Sequence, residues 1–234
     1  MQHDMRDGLS RRNVMKHAGV ITATVAVGSL ATGTAMASPA QNRKAAPSEA
    51  PTSANGWPLE KEANHISTVW TRPVPGTGLE VDVRIGDAEM ILLHVIRRFH
   101  YEVEQLPRID LAGWRPIDGL HKDLPESNLA SGTAVRIRPG AAAKGGLFPL
   151  QELVVRDILA DCQGVIRWGG DNNPVDESLF YLDRGPNDER VRQVADKLRT
   201  GEATPGEGAG AEVDVVAASR REQANRLAQR QRKR

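Results

Sequence analysis

All nine aromatic side chains of this 234-residue chain fall between residues 57 and 181: Trp57, Trp70, Phe99, Tyr101, Trp114, Phe148, Trp168, Phe180 and Tyr181. The residues before and after that window contain none. Aromatic rings supply the largest buried areas in a small core. Their distribution therefore limits the packed body to about 140 residues, one ordinary domain. The single cysteine, Cys162, excludes an internal disulfide, a disulfide-stapled scaffold and a cysteine-rich zinc site.

The flanks have their own character. Ser10-Arg11-Arg12-Asn13-Val14-Met15-Lys16 is followed by an uncharged stretch that closes on Ala35-Met36-Ala37. Paired arginines, an apolar segment and a small-x-small end make residues 1–37 a twin-arginine export signal. The Ala, Thr, Gly and Val of the stretch lack the Leu, Ile and Phe density of a transmembrane span, so none is expected in the mature form. An exported, extracellular or envelope-associated protein follows. Residues 38–56, rich in Ser, Pro and Ala without periodicity, read as a disordered spacer.

At the other end, Gly201, Pro205, Gly206, Gly208 and Gly210 mark a linker. Residues 220–234 then carry seven Arg or Lys against one Glu, a local charge of +6. The whole chain has 31 basic and 30 acidic residues. Setting aside this tail, and the four basic and two acidic groups of the signal, leaves 20 basic and 27 acidic. Neutrality hides an acidic body and a basic tail, so a specific nucleic-acid-binding domain is not indicated. The tail reads either as an anchor to an anionic envelope polymer or surface, or as a solvated extension without a dedicated partner.

Within residues 57–200 the pattern is mixed. Ala88, Ile91, Leu92, Val95, Ile96 and Phe99 follow helical spacing, predicting an amphipathic helix from 87 to about 105 with Asp87 as N-cap. Pro149 leads a second helix through Leu150–Cys162, and Val191, Val194, Ala195 and Leu198 mark a third. Strands are expected at Glu80–Ile85, Ala134–Arg138, Val165–Trp168 and Leu179–Asp183. Without strict βα alternation, the fold class is α+β, a small antiparallel sheet packed with helices.

The segment Ser127-Asn128-Leu129-Ala130-Ser131-Gly132-Thr133-Ala134-Val135-Arg136 has the frame S-x-H-x-x-G-x-A-x-D. Gly113-Trp114-Arg115 precedes it like a G-Y-R, and Val165 to Asp171 and Glu177-Ser178-Leu179-Phe180 follow in order. Over residues 88–199 the chain thus resembles the zinc peptidases of the D-Ala-D-Ala carboxypeptidase and endolysin family, which includes the VanY-like enzymes. The resemblance implies that family's fold, with zinc held by the first-motif His, the Asp seven residues on and a late His. Those positions are Leu129, Arg136 and Leu179 here. Leucine has no lone pair to donate, and a guanidinium repels a cation. Catalytic zinc needs three protein ligands and an open position, so no zinc cofactor is expected, and the chain reads as a pseudoenzyme.

The same resemblance puts the family's general base at Asp176, beside Glu177, and its substrate-orienting arginine at Arg115. Arg136 adds a second guanidinium, and two arginine forks can hold a carboxylate. Two arrangements are open. Arg115 and Arg136 hold the terminal carboxylate of a peptidoglycan stem peptide, or Arg136 pairs with Asp171, Asp176 or Glu177 while Leu129 and Leu179 pack as new core. Function is correspondingly open between a non-catalytic stem-peptide-binding or scaffold protein of the envelope, an active peptidoglycan hydrolase using unrecognised ligands, and an envelope-binding protein whose basic tail does the work. His94 and His100, six apart on one helix, cannot share an ion. His121 near Asp118 and Asp123 is an ordinary loop pattern, and Asp171, Asn173, Asp176 and Glu177 lack calcium-loop spacing. Cys162, at the end of an apolar helix, reads as packing.

Overall fold

Period-two strand geometry builds the sheet that carries Arg136 and Leu179. In the computed structural model, which describes residues 50–233, strand β4 (Ala134–Ile137) pairs antiparallel with β6 (Leu179–Leu182). Two short strands flank them, β3 (Leu111–Ala112) on β4 and β5 (Ile166–Trp168) on β6, giving the order β3-β4-β6-β5. All pairings are antiparallel. Successive side chains point to opposite faces. Val135, Ile137, Phe180, Leu182, Ile166 and Trp168 enter the main core, whereas Ala134, Leu179 and Tyr181 join a second, smaller cluster with Leu129. β6 is buried on both faces, which is why its sequence, Leu-Phe-Tyr-Leu, shows no polar alternation.

A separate hairpin of β1 (Val69–Val74) and β2 (Leu79–Arg84) precedes the first helix. Helix α1 (Asp87–Glu102) presents Ala88, Ile91, Leu92, Val95, Ile96 and Phe99 inward, the residues its spacing marks. It begins one residue earlier in cap terms than Asp87 implies. Gly86 is the N-cap, at φ 96°, and its N–H donates to Glu89 Oε2 (3.2 Å). Asp87 is instead the first helical residue and pairs with Arg199. Helix α2 (Pro149–Asp161) starts on its proline, and α3 (Glu189–Ala203) is capped by the Asp188 carboxylate. α1 packs on α3 and α2, and Phe99 meets Phe180 edge-to-face at 6.0 Å, joining α1 to the sheet. The architecture is α+β with small antiparallel sheets and four α-helices among the described residues.

Three expectations need correction. The spacer assigned to 38–56 does not extend to 56. Ser53 is buried, its hydroxyl bonds Ser131 Oγ (2.9 Å), and Asn55 Nδ2 donates to Thr133 Oγ1 (2.8 Å) and the Leu182 carbonyl (3.0 Å). A polar segment is held here by polar partners rather than by apolar burial, so composition could not distinguish it from a linker. The domain also does not end at 200. α3 runs to Ala203, and Ala209 in the Gly/Pro stretch is buried.

The third concerns the basic tail, which is a helix, α4 (Ala218–Arg232), lying against α2. It buries Ala224, Leu227, Ala228 and Gln231. Arg220 donates to the buried Asp157 carboxylate from Nε (2.8 Å) and Nη2 (2.6 Å), and Arg232 Nε to Asp171 (3.0 Å). The residues assigned to the export signal lie outside the described residues. No described helix is long and apolar enough to cross a membrane.

Candidate functional site

The sheet pleat places three of the singled-out positions together. Arg136 on β4 stands directly opposite Leu179 on β6, so their β-carbons are neighbours about 5 Å apart. The 3₁₀ turn Pro125–Leu129 carries Leu129 onto the same face, where it packs with Leu179, Ala134 and Tyr181. Leu129 and Leu179 are 1% and 2% exposed, so neither offers a group to solvent or to an ion.

Two glycines of the motifs are required by packing. Gly132 has φ +69°, and a β-carbon there would lie 2.6 Å from Val69 Cγ2 and 2.7 Å from the Arg84 nitrogen. A β-carbon at Gly113 would collide with the Asp82 carbonyl, which instead accepts from the Trp114 N–H (2.8 Å). Ser127, Ser131 and Thr133 are likewise committed, bonding residues 53–55. These two glycines and three hydroxyl residues serve the fold.

Arg136 is neutralised in place. Its Nη1 donates to Asp176 Oδ2 and to Ser178 Oγ (2.9 Å), and Nη2 lies 3.9 Å from Glu126 Oε2. Asp176 Oδ1 accepts from the Ser178 hydroxyl (2.6 Å). Of the three acids open to Arg136, the structure selects Asp176. Asp171 belongs to Arg156 and Arg232. Burial works against its ionisation, but the bonds from those two guanidinium groups win and hold its carboxyl below the usual range. Glu177 spans backbone, accepting from Gly145 N–H (2.7 Å) and Leu147 N–H (3.1 Å). Neither Asp176 nor Glu177 is a free base.

Arg115 is exposed and forms no hydrogen bond or ion pair among the described residues. It follows β3 three residues after Ala112, the register partner of Arg136. The adjacent Trp114 indole donates to the Ala130 carbonyl (3.1 Å), tying this segment to the turn that carries Leu129. No bond joins Arg115 to Arg136. A cavity of about 90 Å³ opens beside the acids that face Arg136, walled by Leu124, Pro125, Glu126, Pro174, Asp176 and Leu179. Burial pushes the Tyr181 phenol up, so it remains a neutral donor, given to Asn172 Oδ1 (2.9 Å).

Among the described residues no three His, Cys, Asp or Glu side chains are placed to hold a metal. His94 and His100 are buried and engaged, His94 Nε2 with Asp161 Oδ2 (3.1 Å) and His100 Nδ1 accepting from the Leu106 N–H (3.1 Å). The carboxylate clamps that hold α4, at Asp157 on α2 and at Asp171 after β5, carry no motif in the sequence. The acids at Asp157 and Asp171 and the excess arginines after 219 were the available signal. A larger cleft of about 340 Å³ lies along those helices, between Leu153, Arg156, Ala224 and Arg221.

No protein-family model matches the chain, and no curated protein and no solved structure matches it.

Proposed function

We propose that this chain is an exported, non-catalytic relative of the zinc D-Ala-D-Ala carboxypeptidases that works at the cell envelope by holding a peptidoglycan stem peptide. One observation carries the reading. Of the three positions that the resemblance assigns to zinc, Leu179 is distant in sequence from Leu129 and Arg136 yet packs with the first and stands opposite the second. Two leucines and an Arg–Asp pair occupy what would be a metal centre, a substitution that keeps a fold after its chemistry is gone. Without a Lewis acid or an activated water, peptide cleavage has no driver at this point.

Arg115 is the group that supports ligand binding, because its guanidinium is exposed and without a partner among the described residues, whereas Arg136 serves Asp176. A ligand carboxylate would meet Arg115 first and reach Arg136 only by displacing Asp176. The test is a pair of measurements on the purified chain: metal content with release of D-alanine from sacculi, and retention on sacculi. Retention without zinc or turnover is expected, with Arg115→Ala weakening it about tenfold, one charge-assisted bond's worth. Stoichiometric zinc with turnover, or retention indifferent to Arg115→Ala, overturns the proposal.

A further inference from the structure

Folding of the tail divides its cations into two groups. Arg220 and Arg232 are consumed internally, clamped on Asp157 and Asp171, and the Gln231 side-chain amide donates to the Ile166 carbonyl (2.8 Å) while the Gln231 backbone carbonyl accepts from Arg167 (2.8 Å). These contacts fix the helix on the side that carries Ala224, Leu227, Ala228 and Gln231. Arg226, Arg230 and Lys233, spaced i, i+4 and i+7, fall on the opposite face. All three are exposed. Arg226 has only an i,i+4 pair with Glu222 at 3.3 Å, both side chains 66% exposed, an arrangement worth little in water. Arg230 touches only the Arg226 carbonyl, at 3.4 Å. Ser219, Gln223 and Gln229 are polar and line the same surface.

We infer that this outer face of α4 is a docking surface for a flexible phosphodiester polymer, a chain of the glycerol-phosphate kind. Three cations within about 10 Å of helix axis match a chain with one negative charge per short repeat, and each phosphate offers two oxygens to an arginine fork. A bilayer is the poorer partner. Helices that lie in a membrane interface bury an apolar face in it, and the apolar face of α4 is already spent on α2. The inference rests on the packing of α4 and not on the peptidase resemblance.

Titration of the full chain with poly(glycerol phosphate), followed by anisotropy, tests it. Three phosphate contacts predict a log K against log salt slope near −2, roughly a 20-fold weakening between 50 and 200 mM salt. The variant Arg226→Gln/Arg230→Gln/Lys233→Gln should lose at least tenfold in affinity with an unchanged melting temperature. Sacculus retention through Arg115 should survive in the same variant, separating failure here from failure of the proposed function. The inference is overturned if the chain does not bind at 50 mM salt, if the triple variant binds equally well, or if phosphatidylglycerol vesicles or polyglutamate bind as tightly as the polymer.

Discussion

Truncation of Leu179 tests the contact on which the site rests. Leu179 is 2% exposed and packs with Leu129, Ala134 and Tyr181, against a cavity of about 90 Å³ that it already lines. Leu179→Ala removes the equivalent of about three methylene groups, near 2.5 kcal/mol at about 0.8 kcal/mol each. The pre-existing cavity enlarges rather than closes, adding to the cost, for a total of about 3 kcal/mol. For a domain of this size that lowers the melting temperature by about 10 °C. Leu129→Ala, at 1% exposure, should cost about the same.

The decisive quantity is the coupling. Urea unfolding of both single variants and the double variant, with unchanged m-values, yields a double-mutant cycle. Packed neighbours should show non-additivity of about 0.5 kcal/mol or more. Single effects below about 1 kcal/mol that add independently would mean that Leu129 and Leu179 do not share one cluster. The placement of Leu129, Arg136 and Leu179 around one point would then fail with them.

Introducing the ligands that the resemblance implies, by Leu129→His, Arg136→Asp and Leu179→His together, should create a zinc site detectable as one equivalent of bound metal and a metal-dependent rise in melting temperature; a folded variant that binds none refutes the convergence. Asp157→Asn should destabilise by about 2 kcal/mol, because Arg98, 1% exposed, keeps Glu102 but loses its second counter-charge while Arg220 loses its carboxylate; a loss under about 0.5 kcal/mol would refute the clamp. Asp171 has a depressed folded pKa, so its contribution is present above about pH 4 and is lost as pH falls through the folded value. Asp171→Asn should therefore flatten the stability change between pH 5 and pH 2, measured by urea midpoints. Cys162 is fully buried, with burial pushing its thiol up to about 12, so a thiol reagent at pH 8 should label it only at the rate of unfolding. Rapid labelling in native buffer would contradict its placement.

Three helices and four strands were legible before any coordinates, because their signals are local. The 3.6-residue spacing from Ala88 to Phe99, the proline at 149 and the apolar spacing from Val191 to Leu198 act on residues within a few turns of themselves. β1 was not legible. Its four central residues are exposed and include Pro73, which removes the alternation that marks a strand. α4 was not legible as a packed helix either, since its inner face is Ala, Leu, Ala and Gln, too small and polar to stand out from a solvated extension. Of the site, the sequence named the residues but left Arg136 with three candidate acids.

By itself, then, the sequence determined the α+β class, the absence of side-chain donors at Leu129 and Leu179, and the choice between pairing and packing open to Arg136. Tertiary structure alone decided that Arg136 goes to Asp176, 40 residues away, that Arg220 goes to Asp157, 63 away, and that Ser53 goes to Ser131, 78 away. An acid carries no local mark of which distant guanidinium it will meet. That partner is set by strand register and helix docking, which are consequences of the whole core and not of any window of residues.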